Sequence, residues 1–326
     1  MRHVRILGLC LVALFAMSAA TAGSALAKKA PKPGSNNPKE WLKFENCPLA
    51  DEGNLGCVWG ESNDETYFQA GNIVVHFTKP IILQGGKHSE GSQECAEGDE
   101  IYWECGSEAG LKYSGGKFNP ELFEGPEYGN QVLSKAAQPA PSLTEVVDPE
   151  LLSPKELERY NKYVTAGKTK VTVTIELVGP ASGFFLNEVD LLEGYGEALG
   201  LPVQIKMSNP FLGNTCYDGS NSDPIQIKYT TGTTSPPPPN EPLEGKPGSL
   251  FSTNEGEIVH IVEGKLVDNS FAAPGVTGCG IGGGADAAVN AAAGLPSEAG
   301  HNATVLAGEL AQDGRDAEEE ARGAGL

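Results

Sequence analysis

The sequence predicts a mainly β protein: an antiparallel, sandwich-like pair of sheets with one to three short helical insertions, stapled by disulfides. Three observations carry this expectation. In 170–178, Val171, Val173, Ile175 and Leu177 alternate with Thr172, Thr174 and Glu176, the period-2 pattern of a strand with one buried and one wet face. Val203-Gln204-Ile205-Lys206-Met207 and Ile225-Gln226-Ile227-Lys228-Tyr229 repeat it, and half-buried strands belong to antiparallel sheets, because parallel strands are apolar on both faces. The 42 Gly and 23 Pro among 326 residues follow no triplet period, which excludes collagen, and they fall between short apolar runs as turns do.

At the N-terminus, Arg2, His3 and Arg5 precede an apolar run from Ile6 to about Ala20, and Ala25-Leu26-Ala27 supplies a small-x-small cleavage site. Residues 1–27 are therefore expected to be a secretory signal, and the product to be extracellular or associated with the cell envelope. A run of about 15 residues is shorter than the roughly 20 that cross a bilayer, so no membrane insertion is expected after cleavage. Cys10 lies within the run behind Leu9, which is too large for lipidation-site processing. Loss of Arg2 and Arg5 takes the formal charge from −20 to −22. Such a surface repels phosphate backbones, and no basic cluster reverses it, so no nucleic acid partner is expected.

Six cysteines remain: Cys47, Cys57, Cys95, Cys105, Cys216 and Cys279. An even number in an oxidising compartment reads as a disulfide framework, although spacing alone selects none of the fifteen connectivities. Loop closure favours Cys47–Cys57 and Cys95–Cys105, each ten residues apart, and these two leave Cys216 with Cys279. No C-x2-C pair exists, and His76, His88, His260 and His301 are scattered, so neither a metal site nor a cofactor is expected. Trp41, Trp59 and Trp103 lie beside these cysteines. They suit a compact core, with a sugar-stacking platform as the functional alternative.

Along the mature chain, 28–40 is polar and Pro-punctuated and is expected to be a flexible leader. A β-rich globular region over 41–313 follows, whose two strand-rich parts, 41–150 and 169–313, are expected to be joined as lobes by a helix. Its first strands fall at Cys57-Val58-Trp59, 72–77 and 80–83. Residues 90–108 carry Glu90, Glu94, Glu97, Asp99, Glu100, Glu104 and Glu108 without the order of a calcium loop, so a solvated acidic hairpin is expected and calcium binding stays open. A helix at 153–165 has Ser153 as cap, Pro154 at its first position and Gly167 at its end. Shorter helices are expected at 188–199 and 285–293, further strands at 257–262 and 303–306, and a turn at 218–223. The Pro236–Pro239 run makes 235–248 a stiff connector, and 314–326 an acidic tail.

Catalytic signatures are absent. Gly278-Cys279-Gly280-Ile281-Gly282-Gly283 matches G-x-G-x-x-G, but no apolar strand leads into it and Cys279 belongs to the disulfide framework. No G-x-S-x-G occurs. A carboxylate pair for glycoside hydrolysis needs no local motif. Glu176, on the wet face of its strand, and Glu188 and Asp190, at a helix start, give no reason to nominate any of them.

The stretches Ser208-Asn209-Pro210-Phe211-Leu212-Gly213-Asn214 with Cys216-Tyr217, 230–240, Asp268-Asn269-Ser270-Phe271-Ala272-Ala273-Pro274-Gly275 with Gly278-Cys279-Gly280, and 294–302 resemble uncharacterised secreted proteins of soil actinobacteria. The resemblance covers roughly 170–311. It implies secretion and a Cys216–Cys279 pairing, and no catalytic residue. The function expected is a secreted, non-enzymatic binding or structural protein with an extracellular or envelope ligand. The alternative is a secreted carboxylate-dependent hydrolase acting on a glycan.

Overall fold

A computed structural model describes residues 32–44, 54–88, 132–178 and 184–314. The expected signal, Cys47, Cys95, Cys105, Trp103, the acidic stretch 90–108 and the acidic tail lie outside the described residues.

In chain order the first strands are β1 (Asn54–Ser62), β2 (Tyr67–Ala70), β3 (Ile73–His76), β4 (Ile82–His88), β5 (Gln138–Pro139), β6 (Thr172–Leu177) and β7 (Phe185–Leu186). They continue as β8 (Leu199–Asn209), β9 (Gly213–Asp218), β10 (Ile225–Tyr229), β11 (Ser249–Thr253), β12 (Ile258–Asp268), β13 (Val276–Thr277) and β14 (Ala303–Gly314). The α-helices of the described residues are α1 (Leu143–Val146), α2 (Pro154–Thr165), α3 (Glu188–Glu193) and α4 (Asp286–Ala293). The fold is mainly β, as expected.

Two antiparallel sheets form. One runs β11-β12-β14-β1-β4, with β2 on β14 and β3 on β2; the other runs β13-β9-β8-β6-β5, with β10 and β7 on β8. Each has a long strand at its centre with a divided flank. On one side β14 pairs with β12, and on the other with β2 and then β1. The first sheet thus joins strands from before and after α2, so the two lobes expected about that helix share a sheet instead of folding apart. The cause is β14, whose two edges find partners from both ends of the chain.

The three alternating segments become β6, the middle of β8, and β10. Their registers place Val173 opposite Met207, Ile175 opposite Ile205, and Ile225 opposite Val203, so one apolar face is shared and buried. Each such aliphatic side chain contributes about 1.5–3 kcal/mol by leaving water. The opposite face is drier than expected at Glu176, which is nearly buried. It accepts from Gln204 Nε2 at 2.9 Å and lies 3.6 Å from Lys135 Nζ, because the segment leading to β5 folds over this edge.

α2 forms over the expected span: Ser153 Oγ accepts from the Glu156 N–H at 3.3 Å, and Pro154 opens the helix. It docks through Tyr160, whose ring meets Phe211 edge-on at 5.6 Å. The helix expected over 188–199 is shorter. Gly194 takes a left-handed conformation and ends α3, and the chain is extended again by Leu199.

Part of the expected leader is docked. Gly34 N–H donates to Ser252 O, Asn254 N–H to Ser35 O, and Asn37 N–H to Asn254 Oδ1, each at 2.8 Å. A 3-10 segment, Pro38–Phe44, then lays Trp41 and Phe44 on the outer face of the first sheet, against Cys57, Ile258, Ala311 and half-buried Trp59. Trp41 is therefore a core residue, and Trp59 packs against that core. Cys216 and Cys279 form a disulfide across 63 residues, as expected, and Cys57 is also disulfide-bonded.

Candidate functional site

An open cleft of about 370 Å³ lies where the loop after α3 meets the chain leaving β10. Its rim is built by two glycines. Gly194 and Gly196 both have positive φ, 78° and 75°, and a Cβ at Gly196 would collide with the Asp190 carboxylate. Tyr195, held between them, is 60 % exposed, and its hydroxyl donates to Glu193. Across the cleft stands Lys228, on the wet side of β10, with its Nζ 2.9 Å from Glu197 Oε1.

The floor is Asp268, at the end of β12. It is 4 % exposed; Oδ2 accepts from the Lys228 N–H and Oδ1 from the Ser270 N–H, both at 2.8 Å. Burial pushes its carboxyl above the usual range and nearby Glu197 adds to this, while the two N–H donors and the Lys228 charge oppose it. Burial, then Glu193, likewise raises Asp190. The wall is Thr230, Gly232, Thr233, Thr234 and Ser235. Thr230 and Thr234 spend their hydroxyls on backbone N–H groups, whereas the hydroxyls of Thr233, Ser235 and Ser270 have no partner among the described residues. The cleft therefore offers an aromatic surface, hydroxyls that donate and accept, carboxylates that accept, and one ammonium. That set suits a neutral polyhydroxyl molecule.

A second array has catalytic order without access. Thr253 Oγ1 is 3.0 Å from His260 Nε2, and His260 Nδ1 is 3.0 Å from Glu309 Oε1, the sequence of groups in a hydrolytic triad. Thr253 and His260 are both fully buried, and Phe251 stacks on the imidazole at 4.8 Å. No substrate reaches the hydroxyl, so the array braces the outer face of the first sheet. There Lys43 Nζ lies 2.8 Å from Glu309 Oε1 and 4.5 Å over the Trp59 ring.

The glycine run at 278–283 is occupied by the chain itself: the Asp286 carboxylate accepts from the N–H groups of Gly278 and Cys279, the donors a phosphate would need. In the turn at 218–223, Asp218 points inward and accepts from the Gly275 N–H at 2.9 Å. Of the carboxylates weighed in sequence, Asp190 lies beneath the cleft loop, Glu188 faces the Gln312 amide, and Glu176 is paired on the second sheet. Cys57, Cys216 and Cys279 belong to the framework and not to the cleft. No sequence motif marks Tyr195 or Glu197, and Lys228, Asp268 and Ser270 enter the sequence only as members of a strand and of a resembling stretch, with no binding role attached. The available signal was Gly-Tyr-Gly, two turn residues flanking an aromatic, hidden by extending the helix through it.

Among the described residues, no three His, Cys, Asp or Glu side chains gather as a metal ion would require, and no helix is long and apolar enough to cross a membrane. No protein-family model, curated protein or solved structure matches the chain.

Proposed function

We propose that this is an exported, non-catalytic binding protein of the extracellular space or cell envelope, which takes a sugar unit of a glycan in the Tyr195 cleft. The observation that carries this is Tyr195 itself. A large aromatic side chain is held out to solvent by two positive-φ glycines, beside hydroxyls without a partner among the described residues. Exposed aromatic rings stack on the apolar faces of pyranose rings, and the hydroxyls and carboxylates around them bond the sugar hydroxyls.

The test is co-sedimentation of the mature chain with isolated cell envelopes and with purified neutral polysaccharides. Binding is expected, with Tyr195→Ala weakening it about three- to tenfold and Tyr195→Phe retaining most of it. Absence of binding at every salt and calcium level overturns the proposal. The hydrolytic alternative shares this cleft, because Asp268 and Glu197 are carboxylates in unlike surroundings. It predicts release of reducing ends that Glu197→Gln abolishes. Both Asp268 oxygens are held by backbone N–H groups, which favours binding without turnover.

A further inference from the structure

We propose that the space between the two sheets is a second ligand site, distinct from the cleft, and that it takes a small, uncharged, apolar molecule. A cavity of about 100 Å³ lies there, walled from both sheets by Leu83, Ile261, Leu306 and Leu310 on one side and by Leu201 and Ile227 on the other. Glu61 and Glu309 border it through their backbone only. They are register partners in β1 and β14, and the strand alternation turns their side chains to the opposite face, where Glu309 meets Lys43 and His260. The Tyr229 hydroxyl, also at the wall, is bonded to Thr304 Oγ1 at 2.9 Å and is not left for a guest.

The space follows from residue choice. Gly60, Gly264 and Gly308 border the cavity on three adjacent strands; a Cβ at Gly308 would collide with the Glu61 backbone and one at Gly264 would touch Gly248, so it is at Gly60 that the missing side chain bears on the space. At Gly60 a Cβ would find its nearest neighbours at 3.5 Å, an ordinary contact, in a strand position with no positive φ. An alanine would fit there, and glycine leaves that methyl's volume empty. Protein interiors rarely keep such voids. Water does not fill one lined by aliphatic groups, because it needs two to four polar partners, whereas an apolar cavity of roughly 150 Å³ is known to stay dry and take benzene. The ligand class is therefore a single ring or a short branched alkyl group. An ion is excluded, since the hydroxyls at the wall, those of Ser62, Tyr229 and Thr231, are already bonded within the protein and no charged side chain faces the space.

The experiment is binding of xenon and benzene to the mature protein. It is read by perturbation of the methyl resonances of Leu83, Ile227 and Leu306 and by thermal unfolding over a benzene series, with benzoate as the charged control of matching shape. Wild type is expected to bind both, with benzene raising its unfolding temperature and benzoate leaving it unchanged. Gly60→Val is expected to lower benzene affinity at least tenfold. Leu306→Phe, which fills the same space from β14, serves if the valine variant fails to fold. Tyr195→Ala is expected to bind benzene as wild type does, which separates this site from the glycan cleft. Absence of perturbation by either probe in wild type overturns the proposal, as does an equal response in wild type and the filled variant.

Discussion

Asp218 is the residue at which packing and pH are most directly coupled. It lies 3 % exposed at the end of β9, and burial raises its carboxyl from 3.8 to about 6 against the opposing Gly275 and Gly219 N–H bonds, with Asp223 adding to the rise. The folded group thus holds its proton through a range in which the unfolded one has lost it. Its contribution is fully present below about pH 3.8 and is lost as pH rises through about 6, up to about 3 kcal/mol in all. Urea unfolding at pH 4, 5, 6 and 7 should show stability falling with pH across this window, and Asp218→Asn should flatten that fall. An unchanged slope in the variant would locate the effect elsewhere. Glu309 acts in the opposite sense: burial would raise it, but the His260 and Lys43 bonds outweigh that and lower it, so its share is lost as pH falls.

At the scale of the element, the 3-10 segment shows how two residues override the composition around them. Its surroundings read as flexible because Pro, Asn and Lys dominate, yet Trp41 and Phe44 are three apart, and in a 3-10 turn residues at that spacing share a face. That face covers Ile258 and Ala311 and closes a core separate from the one between the sheets. Phe44, 1 % exposed, should cost about 3–5 kcal/mol on truncation to alanine, measured as a shift of the urea midpoint with unchanged slope. A loss below about 1 kcal/mol would show that the segment is not anchored to the sheet. α3 teaches the converse. Its apolar spacing favours continuation to Leu199, but one left-handed glycine stops it and turns the following tyrosine outward.

Over the whole molecule, the second sheet is tied by a covalent link that joins β9 to the chain just after β13. Cys216 and Cys279 are fully buried and close a loop of 63 residues, so in the chain-entropy account their bond stabilises by about 4 kcal/mol. Replacing both by alanine should lower the unfolding free energy by roughly 2–5 kcal/mol in non-reducing buffer. A double variant as stable as wild type would show that the sheet holds this region alone.

The strands were legible because their cause is local. Alternation in β6, β8 and β10 is written in consecutive residues, and so are the Ser153-Pro154 start of α2 and the small helix α4. Neither ligand site could be read this way. The cleft brings Tyr195, Lys228 and the Asp268–Ser270 segment together from three separate stretches, and the inter-sheet cavity is walled by residues of β1, β12 and β14 whose registers no local pattern encodes. By itself the sequence determined the fold class, most elements and the pairing options of its cysteines, since period, capping and turn chemistry act over a few residues. Only the tertiary structure decided that the parts before and after α2 share a sheet, that the described part of the leader docks, and where open space remains. Those outcomes depend on contacts between segments far apart in the chain, where volume and register are set jointly by both partners.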